Sequence, residues 1–528
     1  MKRILVIRLG AIGDVILASP ALLNLKLSFP DAAIYLLTRP KTAGIAKRFA
    51  GVDEIIEFPQ KGGLIDLFKY GEQLDAYGFD YAVDLHGNIR SKYLMKHISA
   101  PVKVQYNKRR WERVRSVSPG KMKEVKEGSP HTIDLYNDAV LKCGGKIYAR
   151  RPILTLDKDI PVARLFDNDS ATIAIAPGAS YPTKRWPAER FIAFMQAAYD
   201  KLDANILLIL SHQERGIAEA KHNIPLNRLR IRIDADLVEL ASIISEANLL
   251  VCNDSGPAHL GSAVGTPVMA LFGPTHPTLG FAPRGLKDAV IQVDEFCRPC
   301  SLHGKTPCFR EEQFCFTRIG VEDVLARAEE MLRGKGRGER ALFIDRDGTL
   351  IKEKEFIKDA ADIEPETGSV EAIKAARAAG FKIIVLSNQS GVARGFFTED
   401  NVRAINRRIA EIFRAEGAEI DDMFYCPHFP GGEVNEYAIE CDCRKPAPGM
   451  VEEACRKHNI NPFRSFVIGD KLSDIKLAAV TGGRGILVRT GYGANEEKQL
   501  RRLKLPSPAA ITENLFEAVK YILEKRNF

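Results

Sequence analysis

The sequence predicts an α/β protein made of three doubly wound units with parallel sheets. Three observations lead there. Short runs rich in Val, Ile and Leu alternate with amphipathic segments of helical period along the chain. At 528 residues the chain exceeds one ordinary core and matches about three domains. A glycine-rich, charged stretch without apolar period, LRGKGRGER at residues 332–340, separates a long first part from a shorter second one.

Residues 2–7, 33–37 and 81–85 read as strands of a first sheet, with a helix over 15–26 after the first of them. Around 154–169 the pattern relaxes into a connector bearing Pro and Asp. A second sheet follows at 172–176, 205–210, 248–252 and 267–272. Two such halves with a cleft between them suit a transferase that grips donor and acceptor from opposite sides. The third unit opens with 341–345, continues through 382–387 and 465–469, and closes on a helix near 515–525. The expected division is 1–160, 161–333, a linker at 334–340, and 341–528.

A composition of 45% hydrophobic and 27% charged residues belongs to a globular chain rather than a disordered one. The net charge of +8 permits an anionic partner, such as a phosphorylated sugar or a bilayer surface, without identifying one. Arg8 and Asp14 interrupt the apolar run after Met1, so a buried strand is expected there rather than a signal peptide. No apolar run reaches the roughly 18 residues of a membrane span. The expected location is the cytoplasm, with peripheral contact at the inner membrane face left open. Ten cysteines do not suggest a disulfide scaffold. Seven cluster, as Cys297, Cys300, Cys308, Cys315 and as Cys426, Cys441, Cys443, while Cys143, Cys252 and Cys455 stand apart.

Three strand-to-turn motifs carry the chemistry of the first part. The first is Arg8-Leu9-Gly10-Ala11-Ile12-Gly13-Asp14, where glycines let a ligand approach the backbone and Asp14 is a helix cap or a site carboxylate. The second is Gly178-Ala179-Ser180 followed by Lys184-Arg185-Trp186-Pro187, two cations placed for a diphosphate unless they form a solvated loop. The third is Asn253-Asp254-Ser255-Gly256-Pro257-Ala258-His259, a helix start where Asp254 or Ser255 caps the helix or faces an anion. In this order the motifs LGAIGD, PGASYPTKRWP and NDSGPAHLGSAVGTPVMALFGPT closely resemble the ADP-heptose:lipopolysaccharide heptosyltransferase family, over roughly residues 1–333.

That resemblance implies two Rossmann-like domains of GT-B type and no catalytic metal. It makes Asp14 the base that deprotonates the acceptor hydroxyl, with inversion at the anomeric carbon. Lys184 then offsets charge on the leaving diphosphate, while Asp254, Ser255 and Gly256 hold the nucleotide side of ADP-heptose. A basic segment, 103–126, with Tyr106 and Trp111, and the loop Asp84-Leu85-His86-Gly87-Asn88-Ile89-Arg90 are candidates to face a lipopolysaccharide inner-core acceptor. The basic segment is otherwise a solvated loop, and no nucleic-acid partner is expected. Cys297-x2-Cys300-x7-Cys308-x6-Cys315 fits zinc, an iron–sulfur cluster or buried thiols.

In the last part, a strand delivers Asp345-Arg346-Asp347-Gly348-Thr349 at its carboxyl end. Two aspartates two residues apart can supply a nucleophile and an acid/base from one loop. Ser387-Asn388 ends a second strand, Arg444-Lys445-Pro446 offers cations, and Gly469-Asp470 ends a third strand with Asp474 one turn on. Converging carboxylates call for a divalent cation, and oxygen ligands favour Mg2+. This four-part order resembles the haloacid dehalogenase-type phosphatases. The resemblance makes Asp345 the phosphorylated nucleophile and Asp347 the acid/base. It assigns Mg2+ to Asp345, the Asp347 main-chain carbonyl and Asp470, and the phosphoryl group to Thr349, Ser387 and Lys445.

Ser387-Asn388-Gln389-Ser390-Gly391-Val392-Ala393-Arg394-Gly395 and Cys441-Asp442-Cys443-Arg444-Lys445-Pro446 further resemble phosphatases acting on heptose 1,7-bisphosphate, with Asn388, Arg394 and Arg444 at the substrate. Histidinol-phosphate phosphatases are the alternative. Cys426-x-His428-x12-Cys441-x-Cys443 reads as a structural Cys3His Zn2+ site that pins the loop bearing Arg444 and Lys445. A further alternative makes the first part a non-catalytic glycolipid-binding module that tethers the phosphatase.

Overall fold

Parallel strands covered by helices on both faces are built from unbroken apolar runs. β1 (Arg3–Ile7) and β2 (Ala33–Thr38) are of this kind, with every residue but Arg3 buried. The structure, a computed structural model, describes residues 1–59, 64–117, 130–156, 165–333 and 337–525. With β3 (Glu54–Glu57), β4 (Tyr81–Asp84) and β5 (Val102–Gln105), the first sheet has the order 3-2-1-4-5. The second contains β6 (Thr172–Ala176), β7 (Asn205–Leu210), β8 (Leu229–Ile233), β9 (Leu249–Asn253), β10 (Val268–Leu271) and β11 (Ala289–Ile291), ordered 11-10-9-6-7-8. The third contains β12 (Ala341–Asp345), β13 (Lys382–Asn388), β14 (Asp422–Cys426), β15 (Phe466–Gly469), β16 (Arg484–Val488) and β17 (Ala510–Thr512), ordered 14-13-12-15-16-17. Strand pairings within all three are parallel.

In a doubly wound sheet the strand order reverses once, and the loops on either side of that point diverge to leave a crevice. Here the reversals fall between β1 and β4, between β6 and β9, and between β12 and β15. Asp14 follows β1 and Lys184 follows β6, Asp254 follows β9, and Asp345 and Asp470 lie at the ends of β12 and β15. The topology therefore gathers the chemistry-bearing residues without any special local device.

Apart from the short segment Lys26–Asp31, the residues up to Arg337 form one compact unit, and those from Gly338 onward form another. The expected boundary at 160/161 and linker residues 334–336 lie outside the described residues. Arg337 is not solvated linker: it pairs with Glu246 at 3.1 Å. Gly338 accepts a hydrogen bond from Arg464 at 3.1 Å.

Two expectations need correcting. The helix expected over 15–26 is split into Ile12–Ile16 and Ser19–Ser28. Pro20 has no N–H for the carbonyl of Ile16, which the Ser19 hydroxyl bonds instead at 2.8 Å. The basic segment is not uniformly solvated either. Tyr106 is buried, and Arg113 is buried with its guanidinium 4.5 Å from the Phe281 ring, while Trp111 is 78% exposed. Residues 118–126 of that segment lie outside the described residues. Among the described residues, no helix is long and apolar enough to cross a membrane.

Candidate active sites

The end of β12 places Asp345 at the centre of a buried charge cluster. Lys445 Nζ lies 2.7 Å from an Asp345 oxygen and 2.7 Å from an Asp474 oxygen, and donates to the Leu386 carbonyl at 3.1 Å. Burial opposes ionisation of Asp345, but Lys445, Lys471 and the Arg346 N–H outweigh it and hold this carboxyl below its usual range. Asp470 and Asp474 shift the other way. Burial, then the Asp345 charge, pushes Asp470 up to about 8. Asp474 is pushed up to about 6 by burial, against the pull of Lys445.

Carboxylate oxygens of Asp345, Asp470 and Asp474 lie within 4.8 Å of one another. One Asp470 oxygen accepts from the Tyr492 N–H at 2.8 Å, and the other is buried without a hydrogen-bond partner. Gly348 permits the close approach. At φ +83° it adopts a left-handed turn, and a Cβ there would fall 2.5 Å from Asp470 Oδ2. An all-oxygen donor set with an orphaned oxygen fits a hard divalent cation. The fully buried Thr349 hydroxyl is likewise without a partner.

Asp347 stands apart from this set. Its carboxylate receives Arg346 Nε at 3.1 Å, Gln389 Nε2 at 2.8 Å and Ser387 Oγ at 3.3 Å. Only its main-chain carbonyl is left for the metal assignment. Asn388 spends its amide on the Lys445 main chain, accepting from its N–H at 2.9 Å and donating to its carbonyl at 3.2 Å. It is thus a brace for Lys445 rather than a group aimed at the phosphate. Arg394 and Arg444 both lie against the Phe429 ring, at 4.4 and 5.1 Å from its centroid, which brings two cations to one place. The sequence reading left Gln389 without a role and Asp474 without a ligand assignment. The Asp470-x3-Asp474 spacing on a strand-to-helix turn was the available signal for the latter.

Cys426, His428, Cys441 and Cys443 also converge, with donor atoms within 4.8 Å of one another. Sulfur–sulfur separations are 3.1, 3.3 and 3.5 Å, and His428 Nδ1 is 3.3 Å from Cys443 Sγ. Three thiols and one ring nitrogen facing a common centre fit tetrahedral zinc. Arg444, the neighbour of Cys443, donates to the His428 carbonyl at 3.1 Å, so this cluster fixes the loop that carries Lys445.

In the first unit, Arg8 is buried at the end of β1 and forms an ion pair with Asp14. Arg8 also donates to the Leu85 carbonyl at 3.1 Å and lies 3.0 Å from His86 Nδ1. Burial and then the Arg8 charge push His86 down to about 3, which keeps it neutral. Asp84 is spent on the N–H groups of His86 and Gly87, the Ser91 hydroxyl and the Gln105 side-chain amide of β5. Opposite, Lys184 pairs with Asp254 at 2.7 Å, and Thr275 Oγ1 donates to Asp254 at 2.7 Å.

Arg185 does not join Lys184. It donates twice to the Ala179 carbonyl and pairs with Glu214 at 3.3 Å, so it fixes its own turn. The Ser255 side chain makes no cap hydrogen bond to the helix Gly256–Ala263. A helix start whose cap position is unfilled keeps its first amides for an anion. His259, on this helix, is buried with Nδ1 unpartnered, and a Cβ on Gly13 would fall 2.5 Å from its ring. Gly13 thus lets the second sheet's helix approach the Asp14 turn.

Gly13→Ala should therefore part these surfaces and lower transfer by about 10²-fold, with phosphatase turnover unchanged. Equal rates for wild type and variant in a transfer assay would refute this close approach. For the second unit, Asp470 holds a proton near neutral pH that a bound cation must displace. Mg2+ affinity should then rise between pH 6 and 8 by up to about tenfold per unit, as read by calorimetric titration. A pH-independent affinity would contradict it.

The comparisons with known proteins match the two parts of the chain to different families. The glycosyltransferase family 9 (heptosyltransferase) model matches residues 67–307, and a HAD-hydrolase-like model matches 442–518. A crystal structure of a glycosyl transferase family 9 protein from Veillonella parvula superposes with a TM-score of 0.51 at 23% identity. It covers 63% of this chain and 97% of that one, and establishes the fold. D-glycero-alpha-D-manno-heptose-1,7-bisphosphate 7-phosphatase of Photorhabdus laumondii is 35% identical over 184 residues, 35% of this chain and 96% of the relative. D-glycero-beta-D-manno-heptose-1,7-bisphosphate 7-phosphatase of Escherichia coli K12 is 38% identical over 160 residues, 30% of this chain and 84% of the relative. The chain joins a glycosyltransferase family 9 domain to a carboxyl-terminal domain that belongs to the heptose-1,7-bisphosphate 7-phosphatase family.

Proposed function

We propose that the second unit removes the 7-phosphate of heptose 1,7-bisphosphate and that the first transfers heptose from ADP-heptose to a lipopolysaccharide inner-core acceptor. The observation that carries the phosphatase reading is the contrast between two neighbouring aspartates. Asp345 is held ionised among Lys445, Lys471 and the Arg346 N–H, whereas Asp347 lies apart from the carboxylate cluster, bonded by the Arg346 guanidinium, Gln389 and Ser387. An Asp345 oxygen attacks phosphorus as the bond to the C7 oxygen breaks, and Asp347 protonates that departing oxygen. Asp347 then takes a proton from water. The water oxygen bonds to phosphorus, the Asp345–phosphorus bond breaks, and inorganic phosphate leaves. Thr349 and Ser387 orient the phosphoryl oxygens and Lys445 offsets their charge. Mg2+, held by Asp345, Asp470 and the Asp347 carbonyl, would supply further positive charge to the phosphoryl group. Arg394 and Arg444 suit the second phosphate of a bisphosphate. Zn2+ at the Cys426 set is structural.

In the transferase, Arg8 orients Asp14, which takes the proton of the acceptor hydroxyl. The acceptor oxygen bonds to the anomeric carbon as the bond to ADP breaks, with inversion. Lys184 and the amides at Ser255–Gly256 answer charge on the departing diphosphate. The basic segment around the exposed Trp111 supports an anionic acceptor at a membrane face. The two reactions are not consecutive, since heptose 1-phosphate must be nucleotidylated before any transferase uses it. The fusion therefore supplies both enzymes in fixed ratio rather than a channel.

The test is phosphate release with Mg2+ from heptose 1,7-bisphosphate against histidinol phosphate, together with transfer from ADP-heptose. Asp345→Asn should lower phosphate release by on the order of 10⁴ and leave transfer intact. Asp14→Asn should lower transfer by about 10²–10⁴ and leave phosphate release intact. A preference for histidinol phosphate would overturn the substrate assignment. No transfer by the wild-type chain would reduce the first unit to a binding module.

A further inference from the structure

Cys297, Cys300, Cys308 and Cys315 take no part in either reaction. They are carried by the connection between β11 and the helix Val321–Arg333, in which residues 292–313 contain no helix or strand. So long an irregular stretch within a compact unit lacks a backbone ladder to order it. All four cysteines line one pocket, together with Thr183 and Arg310, and none is in a disulfide. Three of them are buried, and Cys308 is partly exposed.

Arg298 and Arg310 stand beside them. Arg298 is buried, and its guanidinium donates to the carbonyls of Gly273, Val293, Phe272 and Thr275 and to the Gln292 side-chain oxygen. All five acceptors are neutral. A buried cation answered by neutral oxygens alone is costly unless negative charge stands close by. Asp294 and the sulfurs of Cys297, Cys300 and Cys315 stand within electrostatic reach of it, and burial pushes the Cys300 and Cys315 thiols up to about 11. Arg310, at the pocket wall, pairs with Glu295 at 2.7 Å.

We propose that Cys297, Cys300, Cys308 and Cys315 hold a thiolate-bound metal centre, separate from the Cys426 set, that orders this connection and through it seats Lys184. The connection lies directly on the lysine. Thr183 Oγ1 donates to the Gly304 carbonyl, Gln313 Nε2 donates to the Thr183 carbonyl at 2.5 Å, and a Cβ on Gly304 would fall 2.4 Å from Lys184 Cγ. The four cysteines line one pocket without closing into a tight cluster. The 4.8 Å grouping found for the Cys426 set is not reached by any three of them. Four thiols about one pocket suit a soft metal that draws them together, as a single zinc ion or as an iron–sulfur cluster. The shared chemistry is four thiolates on a soft metal, with net negative charge facing Arg298.

Elemental analysis of the full chain, purified without chelator and without air, tests this directly. Two tightly held metal sites per chain are expected, one lost in Cys441→Ser and the other in Cys300→Ser. Iron with acid-labile sulfide and visible absorption identifies a cluster, and zinc identifies a single ion; either supports the proposal. Wild-type chain whose metal is wholly removed by Cys441→Ser overturns it, and that result needs no folded Cys300 variant. The bracing role rests on the assignment of Lys184 and has its own readout. Cys300→Ser should raise the donor KM about tenfold while phosphatase kinetics, the control for folding of the second unit, stay unchanged. An unaltered donor KM after metal loss would remove the bracing role and leave the site.

Discussion

A lysine buried between two carboxylates is the interaction on which the phosphatase unit depends. Lys445 touches both Asp345 and Asp474 at 2.7 Å, in a place where an isolated ammonium or carboxylate would be untenable. Removing one member of such a buried set costs roughly 3–5 kcal/mol, because the others are left uncompensated. The transferase cleft repeats the device, with Lys184 on Asp254 at 2.7 Å. In both units the lysine is delivered by a loop, the aspartate by the end of a parallel strand or the helix after it. Loops have no ladder to hold them, so each depends on something else for its position. At Lys445 that support is the convergent Cys426, His428, Cys441 and Cys443, and the Asn388 amide on the lysine main chain.

Much of this was legible because of where strands are buried. Runs such as TIAIA and NILLIL are apolar on both faces, and the strands Thr172–Ala176 and Asn205–Leu210 fall where the sequence placed them. Edge strands escaped notice. EIIE at Glu54–Glu57 and AIT at Ala510–Thr512 are short and half-exposed, so neither length nor alternation separates them from loop. The break between Ile16 and Ser19 has a local cause in Pro20, yet the apolar period continues across it and masks the break.

Site residues divide along similar lines. Aspartates at strand ends were readable, since strand and turn are both local. Direction of a side chain was not. Lys184 and Arg185 are neighbours of like charge, but one faces Asp254 and the other turns back onto Ala179 and Glu214. Asn388 had the same composition whether it faced phosphate or braced Lys445, and only the register of β13 against the Lys445 loop decides between them. Gln389, which holds Asp347 at 2.8 Å, comes from a different strand end and had no sequence signal of its own.

The charge balance at the end of β12 also orders the binding events. Three buried carboxylates, Asp345, Asp470 and Asp474, share the buried Lys445, while the part-exposed Lys471 also pairs with Glu353, so negative charge is in excess at the end of β12. Asp470 answers by holding a proton near neutral pH. In that state the pocket has little attraction for a phosphate dianion. Replacing the proton with a divalent cation adds positive charge to the set, while the buried Thr349 hydroxyl still offers an unused hydrogen bond. Cation before substrate is therefore the favourable order, and it follows from the excess of carboxylate charge at the end of β12 rather than from the shape of the sugar.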